Sequence, residues 1–194
     1  MKPVFLSAMI LAVCVPGIFA QAPVAAEPYD VAEAYRVYSV LIPEEQSYRF
    51  AKGTLIFQQE TVSDQKASTA CLSKEAADEF KEAIADFDQV NSKQWLLQRE
   101  LEIDKPYELV SSGMIKALIQ TEQGPNWNDF YNRYPDSGGY FIFSAVGFNK
   151  EKTLAIVYSG SGCGGLCGMG AFHLLEKQKG EWKVVPGVSC ITVS

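Results

Sequence analysis

Residues 159–170, SGSGCGGLCGMG, are the most unusual stretch of the chain, holding the pair Cys163 and Cys167 among six of its fifteen glycines. Gly160, Gly162 and Gly165 match G-x-G-x-x-G. A dinucleotide site needs the third glycine to open a helix whose N-terminus meets the pyrophosphate. Here Ala171, Phe172, His173 and Leu174 follow and read as a strand, so the spacing is coincidental. A redox pair is a second chemistry, but the spacing is CxxxC and no helix start is evident to lower a thiol pKa. Cys163, Cys167, His173 and Cys190 supply the ligand types of a tetrahedral zinc site, yet thiols in an oxidising compartment pair with one another instead. A cysteine nucleophile needs a histidine base. The chain has one histidine, His173, which at period two shares a face with Ala171 and Leu175 and reads as a half-buried sheet residue.

The expectation is therefore no catalytic residue, no metal and no cofactor. Gly160, Gly162, Gly164, Gly165, Gly168 and Gly170 are left as a candidate binding loop, where the backbone can approach a partner closely. A thiol- or zinc-dependent enzyme built on the same loop is the alternative. Elsewhere the signals are weaker. No G-x-S-x-G occurs, and Ser111-Ser112-Gly113 is not a nucleophile elbow. Asp86 and Asp88 lie on a solvated helix face. Trp127, Phe130, Tyr131 and Tyr134 could stack on a sugar or a peptide, but their helical spacing makes them core residues first.

Such residues must be held by a framework, and the cysteines suggest where it resides. Lys2, an apolar run over 3–15, Pro16-Gly17 and small residues at Ala20 and Ala22 form the layout of a signal peptide over 1–22. The apolar run is shorter than the ~20 residues that cross a bilayer, so no transmembrane anchor is expected. Leu11-Ala12-Val13-Cys14 departs from a lipobox at Val13, which argues against anchoring through Cys14. Export to a periplasm or beyond then leaves Cys71, Cys163, Cys167 and Cys190. Four cysteines allow three connectivities; proximity favours Cys163–Cys167 and hence Cys71–Cys190. The formal charge of -6 becomes one unit more negative without Lys2. Nucleic acid is thereby disfavoured as a partner, leaving a protein, a peptide or an envelope component.

After a tether over 23–29, residues 30–194 read as one domain. Asp30 with Glu33 resembles a capping box opening a helix that Pro43 stops. A strand is expected at 53–58. Ser73 caps an amphipathic helix carrying Ala76, Phe80, Ala83, Ile84 and Phe87. A short strand at 107–110 and a helix at 114–119 follow, then a helix opening at Pro125. Beyond Pro135 the pattern changes to strands at 140–148, 154–158, 171–177 and 181–185, with Pro186-Gly187 turning the chain into a last one. Helices followed by strands give an α+β class, with N-terminal helices packed on a C-terminal antiparallel β meander.

The later part of the chain resembles an uncharacterised family of exported bacterial proteins. The resemblance runs through W-x-x-F-Y-x-x-Y-P from Trp127 to Pro135, S-x-V-G-F-N from Ser144 to Asn149, and A-x-V-Y from Ala155 to Tyr158. It continues through the Gly/Cys loop, L-L-E-K from Leu174 to Lys177, and G-x-W-K-V from Gly180 to Val184. Ala145 departs from it, standing where the family carries an arginine. The resemblance implies export and no particular activity. The closing hairpins are also similar to cystatin-like or NTF2-like sheets, a likeness of fold that carries no function.

Overall fold

The computed structural model describes residues 26–44, 48, 51–64, 66, 67 and 71–193, with side chains up to Pro186. The expected signal peptide and residues 23–25 of the expected tether lie outside the described residues; the remainder is not a free tether, since Glu27 and Pro28 pair with Trp95 and Leu96 and Tyr29 is buried in the core. Among those described, no helix is long and apolar enough to cross a membrane.

The architecture is α+β. The helices are α1 (Ala32–Leu41), α2 (Lys74–Glu79), α3 (Lys81–Val90), α4 (Ser112–Ile119) and α5 (Asn128–Arg133). Two small pairs, β1 (Glu27–Pro28) with β3 (Trp95–Leu96) and β5 (Gln120–Thr121) with β6 (Gly124–Pro125), flank a large sheet. That sheet runs β11 (Glu181–Val193), β10 (Cys167–Gln178), β9 (Leu154–Gly164), β7 (Tyr140–Phe143), β2 (Leu55–Gln58), β4 (Tyr107–Val110), with β8 (Gly147–Phe148) also on β9. The antiparallel hairpins expected from the second half are present. The sheet is nevertheless mixed, because β2 pairs in parallel with both β4 and β7. Its first-half strands enter through helical crossovers, and a parallel pair needs such a crossover. Nothing in the antiparallel hairpins accounts for this parallel half, so the cystatin-like or NTF2-like analogy gains no support.

Alternation along the strands sends residues to two cores. Leu55, Phe57, Phe141, Phe143, Ala155, Val157 and Leu175 join α1 through Tyr35, Tyr38 and Leu41. On the opposite face, Ile156, Phe172 and Leu174 meet α2 and α3, while Ile56 and Val110 meet α4 and α5. Gly147 lets α3 sit directly on β8, since a Cβ there would overlap the α3 backbone at Ala83 and Phe87. The short segment between β7 and β8 is latched by Asn91. Its Oδ1 accepts from Ala145 N at 2.8 Å, and its Nδ2 donates to Ala145 O at 3.1 Å.

Several local expectations are corrected. Asp30 does not cap α1: Val31 holds the N-cap position with no side-chain bond, because Glu33 is drawn to Lys177 Nζ and Trp182 Nε1, each at 2.8 Å. Pro125 does not open a helix; it pairs with Gln120 in the β5–β6 hairpin, and α5 begins at Asn128. The strand expected over 140–148 is broken after Phe143, where Ser144 Oγ donates to Ala145 O and bends the chain. Pro186-Gly187 does not turn the chain. Residues 185–188 bulge opposite Leu174, and β11 runs on through to Val193. Proline is tolerated there because an edge-strand bulge requires no ladder donor. The Ser73 cap forms as expected, its side chain accepting from Ala76 N. Lys179 and Gly180, at φ 52 and 89, give the two-residue turn that joins β10 to β11.

Candidate functional site

The glycine-rich stretch is a hairpin rather than a flexible loop. β9 extends to Gly164 and β10 begins at Cys167, leaving only Gly165 and Leu166 as the turn. Cys163 and Cys167 are joined in a disulfide across this tip, their Cα atoms 5.1 Å apart. Leu166 at the apex is 99% exposed, so the tip presents a bare aliphatic side chain on a braced backbone. Tyr131 of α5 steadies the same place, its hydroxyl donating to Cys163 O at 2.8 Å.

Strand register turns the glycine spacing into a shape. Gly160 stands opposite Gly170 and Gly162 opposite Gly168, so two neighbouring strands lack side chains on one face. On the β7 side, Ile142 pairs with Gly160 and Tyr140 with Gly162. The flanking side chains lean into the gap. A Cβ on Gly160 would meet Ile142, one on Gly162 the Tyr140 ring, and one on Gly170 the Tyr158 hydroxyl. Trp127, just ahead of α5, lies nearly parallel to Tyr140 at 19° and 6.0 Å between centroids. The result is a groove of about 440 Å³ running along the hairpin, with Trp127, Tyr140, Ile142 and Tyr158 in its lining. It sits where the two helical groups on this face, α2–α3 and α4–α5, leave the sheet uncovered between them.

Among the described residues, no Asp, Glu, Lys or Arg lines this groove. Burial raises the pKa of Tyr140 and Tyr158, so both hydroxyls stay protonated and can donate as well as accept. Sequence reasoning placed the glycines here but took Trp127 for core, and it did not single out Tyr140 or Tyr158. The available signal was the matching of glycines two apart on 160–164 with those on 168–170, which only the hairpin register converts into facing pairs.

The other candidates are dispersed. His173 lies six residues along β10 from Cys167, roughly 20 Å at ~3.3 Å per residue, and cannot serve the cysteine pair. Its Nε2 is 3.0 Å from Ser159 Oγ, on the face that packs toward α1. Burial lowers its pKa to about 4. Among the described residues, no group of three or more His, Cys, Asp or Glu side chains is arranged to hold a metal ion. Cys71 is disulfide-bonded, and the Cys190 side chain, its expected partner, lies outside the described residues. Asp86 and Asp88 are spent on structure: Asp86 accepts from Phe148 N at 2.8 Å and Asp88 from Ala67 N at 3.0 Å. A second cleft, of about 540 Å³, lies between the β1 segment and β8. Two polar groups of its lining are engaged, Asp86 as above and Trp95 Nε1, which donates to Val90 O at 2.8 Å.

No family model, no curated protein and no solved structure matches the chain.

Proposed function

We propose that this chain is an exported, non-catalytic domain that binds a cell-envelope or extracellular partner along the β9–β10 hairpin. The observation that carries the reading is the groove of aromatic rings over paired glycines, open to solvent beside a disulfide-braced tip. Glycine pairs weaken a sheet by leaving nothing to pack. Rings leaning over the bare glycine backbone restore part of that packing, and the half-buried faces they still turn to solvent, together with Trp127, form the binding surface. Leu166 adds an apolar anchor at one end, and rigid aromatic anchors lose little conformational entropy on binding. The even set of expected mature cysteines, the acidic balance and the signal-like first 22 residues support export. The resemblance to exported bacterial proteins agrees with it.

The thiol- or zinc-enzyme alternative is less well supported. Cys163 and Cys167 are bonded to each other, so neither is a thiolate, and His173 stands far along the strand from both.

Co-sedimentation of the purified protein with isolated cell-envelope fragments tests the proposal. The native protein is expected to sediment saturably, and Trp127→Ala or Leu166→Asp to weaken that retention at least fivefold. Retention unchanged in both variants would remove the hairpin from the binding surface.

A further inference from the structure

The chemistry of the groove narrows what it can hold. A charged ligand buried against an uncharged lining would lose its hydration without a counter-charge. Among the described residues the groove offers no Asp, Glu, Lys or Arg side chain to supply one, and the whole chain is acidic at -6. Its ligand is therefore neutral. Two groups in the lining also demand more than an apolar guest. The hydroxyls of Tyr140 and Tyr158 have no hydrogen-bond partner among the described residues, and both rings lean over glycine backbone at the groove floor. A ligand that met them with hydrocarbon alone would leave two phenols unpaired.

Ring arrangement supplies the second constraint. Trp127 and Tyr140 are offset and almost parallel, at 19°. Their centroids are 6.0 Å apart, so no ring fits between them and ligands must lie along their faces. Proline-rich peptides dock instead between aromatic ridges, in slots that each admit a pyrrolidine ring. A flat guest with weakly positive C–H groups on one face and hydroxyls at its edge fits the electron-rich ring faces and the two phenols together. Those properties belong to the pyranose ring. The volume of about 440 Å³ falls within the ~300–1,000 Å³ of small-ligand sites, leaving room for a short run of sugar units.

We infer that the groove over Gly160, Gly162, Gly168 and Gly170 is a subsite for a neutral glycan, which stacks on Trp127 and Tyr140 and hydrogen-bonds to the Tyr140 and Tyr158 hydroxyls. This rests on the binding role proposed above and adds the class of ligand. Braced by the disulfide, the hairpin keeps the strip of facing glycines in register, so the site is largely formed before the ligand arrives.

The test is calorimetric titration of the disulfide-intact protein with neutral hexasaccharides of glucose, mannose and N-acetylglucosamine, beside a decaproline peptide and a polyuronate. At least one neutral hexasaccharide is expected to bind saturably. Trp127→Ala should weaken it tenfold or more. Tyr140→Phe with Tyr158→Phe keeps the rings, removes only the hydroxyls and should weaken it severalfold, so the result does not depend on a ring-deleted variant folding well. Gly113→Ala, in α4 outside the groove lining and with open space around it, should bind like the native protein. No binding by any neutral sugar, binding indifferent to Trp127 and the hydroxyls, or preference for decaproline or polyuronate would each overturn the inference. Envelope retention that still depends on Trp127 would then preserve the wider reading, whereas loss of both would end it.

Discussion

Acidification between pH 7.5 and pH 5 should unload a measurable share of the stability through one side chain. His173 is the chain's single histidine, so no other side chain has an ordinary pKa in that interval. Burial holds its folded-state pKa at about 4, against 6.5 for the exposed ring. The unfolded chain therefore binds the proton more readily, and stability falls as pH drops from above 6.5 towards 4. The full difference corresponds to about 3 kcal/mol, of which roughly 2 kcal/mol is lost by pH 5. For a domain of this size that is a fall of about 4–8 °C in Tm. Urea unfolding followed by tryptophan emission at pH 7.5, 6 and 5 gives the curve. His173→Gln keeps a hydrogen-bonding partner for Ser159 and cannot titrate, so its stability should stay nearly level over the same interval. Native and variant proteins losing stability in parallel would refute the reasoning, by placing the titrating group elsewhere or the imidazole in water.

Four further outcomes follow. Replacing both Cys163 and Cys167 by Ser opens a loop of sequence separation 4, which chain-entropy arithmetic puts at about 2 kcal/mol, read as a lower urea midpoint. Intact mass after alkylation, with and without prior reduction, should show every mature cysteine protected and fix the processed N-terminus after Ala20 or Ala22. Free thiols would contradict the pairing. Glu33→Gln removes the charge that Lys177 and Trp182 share and should cost about 1–2 kcal/mol at pH 7, discounted for its partial exposure. The hydrogen bond from Lys177 holds the Glu33 carboxyl below its usual 4.5, so its contribution is present above that value and disappears as pH falls further. Gly147→Ala, which drives a methyl into the α3 backbone, should cost about 1–3 kcal/mol or more, while Gly165→Ala is near neutral by the same unfolding assay.

Much of the framework was legible in the sequence because periodicity reports which side is buried. The Ser73 cap and the strands that begin at Leu154 and Glu181 fall where their patterns place them, and the apolar spacing through Phe87 is kept although the one helix expected there is broken at Phe80 into α2 and α3. Features that depend on distant partners were not legible. Glu33 reads as half of a capping box until Lys177 and Trp182, far along the chain, compete for its carboxylate. Pro125 reads as a helix start until Gln120 pairs with it. The parallel pairing of Leu55–Gln58 with β4 and β7 leaves no local signature at all. At the candidate site, glycine content marks the segment but reads it as a loop, since glycine lowers strand propensity whatever faces it. Tyr140 and Tyr158 became visible only once register set them over Gly162 and Gly170. Cys163 and His173, ten residues apart in sequence, are separated by the length of the extended strand that lies between them.

If the hairpin groove meets a partner outside the cytoplasm, site-directed photocrosslinking in intact cells will capture it. A benzophenone side chain in place of Leu166, 99% exposed at the tip, inserts into nearby C–H bonds of peptide or sugar alike. The expected result is an exported, light-dependent adduct that disappears when Trp127 is also replaced by alanine. An adduct equally strong without Trp127, or none at all from a protein shown to be exported and folded, would contradict it.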